Sequence, residues 1–147
     1  LISLGVQLGI AAAAPPRWTA WDLAGAALWA AGFLFETVGD AQLARFKRDP
    51  ANRGRVMDRG LWRYTRHPNY FGEAVMWWGL FLIVLPTPYG PWTALCPALM
   101  TFFLLRVSGV TLLEQDLLAR RPGYREYIAR TSAFVPWPPR RGVRSEE

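Results

Sequence analysis

The chain has 147 residues, room for one domain, and 52% of them are hydrophobic while only 19% are charged, a segregated balance that argues against a soluble domain of amphipathic helices. Its net charge of +6 would suit nucleic acid or a membrane surface, and position decides between them. Of the 17 Lys and Arg, eight lie between Arg45 and Arg66 and seven between Arg120 and Arg144, at the ends of apolar runs, which is the positive-inside pattern of a membrane protein and excludes a soluble nucleic-acid binder.

Leu1 to Ala14 is apolar but, at about 14 residues, short of the roughly 20 that cross a bilayer, so it reads as the tail of a truncated span. No basic region precedes it, as a signal peptide would require, and an upstream part of the protein is expected. Pro15 and Pro16 break the run, and Trp18 and Trp21 are placed as interfacial anchors. Trp21 to Val38 is the second span, with Gly25 and Gly32 allowing close helix approach. Glu36 and Asp40 end it, one turn apart on one face; they either pair with Arg45, Lys47 and Arg48 at the interface or belong to a site.

Residues 41–66 form a basic loop with turn signals at Asp49-Pro50 and Asn52-Arg53-Gly54, holding at most a short surface-lying helix. Pro68 keeps His67 out of a helix and opens the next one. Tyr70 to Leu85 is the third span, and Trp92 to Leu113 the fourth, interrupted by Pro97 and carrying Arg106. With loop 41–66 cytoplasmic, the uncharged connection 86–91 lies outside, and the polar segment 114–139, broken at Pro122-Gly123, is cytoplasmic. Phe134 to Pro139 is too rich in proline for a helix and crosses the cytoplasmic face, and 140–147 reads as a disordered tail. The fold expected is all-α, a polytopic transmembrane helical bundle with a cytoplasmic C-terminal helical segment. Cys96 is alone, so no intrachain disulfide or multi-cysteine metal site is possible, and no metal is expected.

Asn69, Glu73 and Trp77 recur every four residues and stack along about 12 Å of one helical face. A carboxylate inside an apolar span needs a partner, as does Arg106: Arg106 pairs with Glu73 or with Glu36, or Glu73 meets a ligand. His67, the one histidine, is either a loop residue hydrogen-bonded to its surroundings or a general acid. Arg63, Arg66, Arg120, Arg121 and Arg125 are expected to converge on an anionic group, where guanidinium forks suit a nucleotide's phosphates and also anionic lipid. Tyr124 and Tyr127 either stack on a base or anchor their helix. No glycine-rich dinucleotide loop, Walker loop or serine-hydrolase elbow is present.

Arg66-His67-Pro68-Asn69-Tyr70-Phe71-Gly72-Glu73, then Trp77-Trp78-Gly79, and later Glu114, Arg120-Arg121, Tyr124 and Tyr127 resemble the DUF1295 family. That family is similar to the C-terminal half of steroid 5α-reductases and sterol reductases and, more distantly, to isoprenylcysteine carboxyl methyltransferases. The resemblance runs from about Trp21 to Pro139 and implies a helical membrane bundle whose cofactor enters from the cytoplasm. It implies NADPH, with Asn69, Glu73 and Trp77 lining the pocket and the C-terminal Arg and Tyr residues closing over it. The cofactor-binding set expected is Arg63, Arg66, His67, Asn69, Tyr70, Glu73, Trp77, Arg106, Glu114, Arg120, Arg121, Tyr124 and Tyr127. The expected activity is reduction of a carbon–carbon double bond conjugated to a carbonyl in a lipophilic, steroid- or isoprenoid-like substrate. The catalytic residues are not named, because in the reductases the groups that polarise the enone come from the N-terminal half. Two other readings stand beside it: methyl transfer from S-adenosylmethionine to a lipophilic acceptor, and a non-catalytic membrane scaffold whose basic face binds anionic lipid.

Overall fold

The structure, a computed structural model, describes residues 18–107 and 110–140 (backbone alone for 110–113), together with Gly5 and Gln7. Apart from those two, the truncated span at 1–14 and its Pro15-Pro16 break lie outside the described residues, as does the tail beyond Arg140. The described residues are helical; their one β-type feature is an isolated parallel bridge between Thr65 and Ser132.

Helix α1 spans Ala20–Arg48. Thr19 caps it, accepting from the Asp22 N–H at 3.3 Å while its own N–H donates to Asp22 Oδ2 at 2.7 Å, so two otherwise unpaired donors are satisfied reciprocally. Arg45, Lys47 and Arg48 complement the helix dipole in its last turn, and Asp49 before Pro50 ends it. This corrects the expected loop start at Ala41: nothing between 41 and 48 is a glycine or proline, so the helix runs on past the polarity boundary. Its 29 residues make it about 43 Å long.

Helix α2, Pro68–Val84, begins with proline at its first position, where no N–H is needed. It packs antiparallel on α1 through a seam of glycines. Gly25, Gly32 and Gly39 repeat every seven residues on α1 and meet Gly79, Gly72 and Pro68 of α2. A Cβ built on Gly32 would stand 2.6 Å from the Gly72 carbonyl oxygen, and one on Gly25 2.6 Å from that of Gly79. The two backbones therefore touch, and the seam has no room for a methyl group.

A 3₁₀ turn at Gly90–Ala94 leads into α3, Leu95–Phe102, which continues as a π-helical turn at Phe103–Val107. Pro97 does not interrupt this stretch. It is the third residue of α3, in the first turn, where a missing N–H costs little. The irregularity falls at 103–107 instead, around Arg106. Helix α4, Val110–Arg120, and helix α5, Tyr124–Arg130, follow, with the turn between them made by Gly123 at φ +82°.

Among the described residues one helical stretch, Gly90–Val107, is long and apolar enough to cross a membrane, with a mean hydropathy of 1.3. Helix α2, at 17 residues, covers about 26 Å, less than the roughly 30 Å hydrocarbon core. Helix α1 is long enough but carries Asp22, Glu36 and Asp40. Large apolar side chains nonetheless point outward on all three: Leu23, Trp29, Phe33 and Leu34 on α1, Trp78 on α2, Leu95 and Phe102 on α3.

Candidate functional site

The segment between α1 and α2 is fixed to α1 before it reaches the Arg-His-Pro turn. Gln42 Oε1 accepts from the Leu61 N–H at 2.9 Å, and the Trp62 indole N–H donates to the Gly39 carbonyl at 3.0 Å. From there the chain meets the C-terminal residues edge to edge: the Arg66 N–H donates to Ser132 O at 2.9 Å, Thr65 Oγ1 to Phe134 O at 2.7 Å, and the Trp137 N–H to Tyr64 O at 2.9 Å. The Tyr127 hydroxyl donates to the Trp62 carbonyl.

Arg66 is buried and uses its fork inside the protein. Nε and Nη2 donate to the two Glu114 oxygens at 2.7 and 3.1 Å, while Nη1 donates to the carbonyls of Ile128 at 3.2 Å and Thr131 at 2.6 Å. Glu114 Oε1 also lies 3.1 Å from His67 Nε2, and the His67 ring stacks on Tyr70 with centroids 5.5 Å apart. Burial works to raise the Glu114 carboxyl, but the hydrogen bonds from His67 and Arg66 and the charge of Arg66 together outweigh it and hold the group below its ordinary value. Tyr124, beside this node, is pushed up to about 12 by burial and by the Glu114 charge, and Tyr127 is raised by burial and by Tyr124.

Under this clamp lies a cavity of about 540 Å³, within the range of small-molecule and cofactor sites. The end of α1 (Leu43 to Arg48), the loop 49–57, the Arg-His-Pro turn with Asn69 and Tyr70, and Leu117, Arg121, Tyr124 and Tyr127 of the C-terminal helices enclose it. Six cations line it, Lys47, Arg48, Arg53, Arg55, Arg66 and Arg121, against one carboxylate, Asp49. Phe46, Val56, Met57, Trp62, Tyr70, Tyr124 and Tyr127 supply apolar and aromatic wall. Two ties hold the loop to the C-terminal side: Arg121 Nη1 donates to Arg55 O at 2.6 Å, and Arg130 pairs with Asp58.

The family model described as "Protein of unknown function (DUF1295)" matches residues 1–131, which include every residue of this cavity. The chain belongs to the DUF1295 family. No curated protein and no solved structure matches it.

In this DUF1295 member the residues singled out from the sequence divide into groups. Arg66, His67, Asn69, Tyr70, Arg121, Tyr124 and Tyr127 meet at the cavity, and Glu114 stands behind its wall, holding Arg66 and His67. Trp77 lines a second, more open hollow of about 540 Å³ in the α1–α2 groove, with Trp29, Phe33, Glu36, Thr37, Asp40, Met76 and Leu80. Glu73 is half-buried on α2 between the two hollows along the helix. Glu36 Oε2 is buried without a hydrogen-bond partner among the described residues.

Arg63, Arg120 and Arg125 are exposed and do not line either hollow; Arg120 pairs with Asp116 at 2.7 Å on the surface of α4. Arg106 is exposed in the π-turn and makes no ion pair among the described residues, so neither a Glu73 nor a Glu36 pair with it forms. The expected convergence of five arginines thus reduces to Arg66 and Arg121, and Arg66 is already occupied by Glu114. Lys47, Arg48, Arg53 and Arg55 line the cavity beside them. Their signal is the charge density of the 45–66 stretch, which marks sidedness and, for Lys47 and Arg48, also suits interfacial pairing with Glu36 and Asp40.

Proposed function

We propose that the protein is a membrane-embedded, NADPH-dependent reductase acting on a carbon–carbon double bond conjugated to a carbonyl in a lipophilic, steroid- or isoprenoid-like substrate. The observation that carries this reading is the charge of the cavity: six cations and a single carboxylate around aromatic walls. NADPH has three phosphate groups, an aromatic adenine and a flat dihydronicotinamide ring to match. S-adenosylmethionine has no phosphate and bears a sulfonium cation, which this lining would repel. Five of the six cations are not engaged by Glu114 and are available to phosphate, which guanidinium groups bind in bidentate fashion.

On this reading Lys47, Arg48, Arg53, Arg55 and Arg121 hold the phosphates, and the tyrosine and tryptophan walls hold the rings. Asn69 opens the face of α2 that continues through Glu73 to Trp77 and the second hollow. Carboxylates there, with the orphaned Glu36 Oε2, offer acceptors for an amide or hydroxyl N–H or O–H. When bound, NADPH supplies the hydride. The apolar lining of that hollow by Trp29, Phe33, Met76 and Leu80, on the outward face of α1 and α2, suits a substrate arriving from lipid. The reading includes several membrane crossings, with residues 41–66 and the C-terminal segment on the cytoplasmic side where NADPH is found.

Calorimetry of the full-length protein in detergent with NADPH and, separately, S-adenosylmethionine tests this. NADPH should bind, and Arg53→Ala with Arg55→Ala should weaken it by roughly tenfold or more, the scale of a lost charge-assisted hydrogen bond. Asn69→Ala and Glu73→Gln should weaken it too. Binding of S-adenosylmethionine alone would overturn the reductase reading, and binding of neither, with salt-sensitive adhesion to anionic vesicles, would favour a scaffold.

A further inference from the structure

The C-terminal strap 132–140 carries an outward surface that the cofactor cavity does not use. Its backbone is fixed by the bonds from Arg66 and Thr65 and to Tyr64 described above, and the Arg140 N–H donates to Arg130 O at 2.9 Å. Phe134 turns inward and meets Phe71 edge-on at 5.7 Å, and Phe71 in turn meets Phe35 of α1 at 5.3 Å. This chain of rings places the strap level with the first turn of α2. Val135 and Trp137 are 58% and 68% exposed, and Tyr64, whose carbonyl accepts from the Trp137 N–H, joins them at 43%. A tryptophan this exposed on backbone this constrained is not explained by the folding of the chain alone. Arg63 and Arg140, both exposed and neither in an ion pair among the described residues, flank the patch.

We infer that Tyr64, Val135 and Trp137 form an interfacial anchor that docks the strap on the anionic headgroup layer of the same membrane, with Arg63 and Arg140 facing lipid phosphate. Amphipathic rings settle at the headgroup level, and arginines beside them complement anionic lipid. The strap begins at Ser132, whose carbonyl accepts from the Arg66 N–H, so the anchor braces the Arg-His-Pro turn in the cavity wall from the lipid side. The inference rests on the membrane placement proposed above.

The test is spin-label accessibility in the full-length protein, in a Cys96→Ala background, with nitroxide at Val135→Cys and, as a control for membrane placement, at Leu99→Cys on the exposed face of α3. In phosphatidylcholine vesicles containing phosphatidylglycerol, both labels should collide more with oxygen than with a water-soluble nickel complex, Leu99 more strongly. Removing phosphatidylglycerol, or Arg63→Glu with Arg140→Glu, should shift the Val135 label toward nickel and leave Leu99 unchanged. A lipid-like Leu99 label with a water-like Val135 label would overturn the anchor alone. Water-like values at both would overturn the membrane placement. A Val135 label immobilised and shielded from both reagents would mean a protein partner or second copy covers the patch, and equal values with and without phosphatidylglycerol would overturn the part given to the arginines.

Discussion

Replacing Arg66 by Met keeps an apolar stem and removes the fork, which separates a clamp from a phosphate ligand. The change deletes four hydrogen bonds, leaves the Glu114 carboxylate beside His67 alone, and takes a donor from each of the Ile128 and Thr131 carbonyls. Breaking a buried ion pair costs about 3–5 kcal/mol; with side chains 9% and 14% exposed, the lower end applies here. At about 1.4 kcal/mol per factor of ten, about 3 kcal/mol raises the open population of the C-terminal helix roughly 100-fold. Amide exchange over residues 124–132, read by mass spectrometry, measures this directly. Glu114→Gln, which touches no cavity surface, should move exchange in the same direction by roughly tenfold through the loss of charge assistance. NADPH affinity should fall in both variants. If Arg66→Met abolishes NADPH binding while exchange over 124–132 stays at wild type, or if Glu114→Gln leaves exchange untouched, Arg66 is a phosphate ligand and the clamp is wrong.

The glycine seam predicts that Gly32→Ala, whose methyl would meet the Gly72 carbonyl at 2.6 Å, destabilises by about 1–3 kcal/mol, seen as a lower thermal midpoint in detergent. Acid should release the C-terminal segment: Glu114 titrates below its ordinary 4.5 in the folded protein, so the stability it gives is present above that value and lost as pH falls through the folded one, and Glu114→Gln should remove this transition. Alkali acts with the opposite sign on Tyr124, whose neutral form the fold favours; stability holds below pH 10 and falls as pH rises toward about 12, and Tyr124→Phe should flatten that slope in a fluorescence titration. Arg121→Ala or Arg130→Ala should speed tryptic cleavage at Arg53 and Arg55 a few-fold while exchange along α1 and α2 stays unchanged.

What the sequence made legible was local. Pro68 at a helix start, the break at Pro122-Gly123 and the non-helical Phe134 to Pro139 each follow from one residue's backbone chemistry, and the structure has all three. Gly25 and Gly32 announced a close approach, but their partners Gly79 and Gly72 depend on an antiparallel register that no single helix carries. The end of α1 was misplaced because polarity changes at 38–40 while helix propensity persists to Arg48. Arg66 shows the deeper difficulty: a guanidinium fork suits a phosphate and a carboxylate equally, and the choice was made by Glu114, 48 residues away. Lys47 and Arg48 reach the cavity from the last turn of that helix, a placement that the polarity boundary does not show.

The cavity lies between two bodies of unequal firmness. On one side α1 and α2 meet backbone to backbone, and the Trp62 and Gln42 bonds extend that rigid pair to the Arg-His-Pro turn. On the other, the C-terminal helices are attached by side-chain ties of two kinds. The Arg66 fork and the Tyr127 bond to Trp62 are buried, whereas the Arg130–Asp58 pair has side chains 47% and 36% exposed. Exposed pairs contribute about 0–1 kcal/mol against about 3 kcal/mol for the buried clamp, so thermal opening takes the loop 49–58 away from the C-terminal side long before the clamp releases. That loop carries Arg53 and Arg55, two of the five cations free to meet phosphate. Charge and access therefore coincide on one weakly tied edge, and on the function proposed above a phosphate that neutralises those arginines would add to the ties that hold the cavity shut.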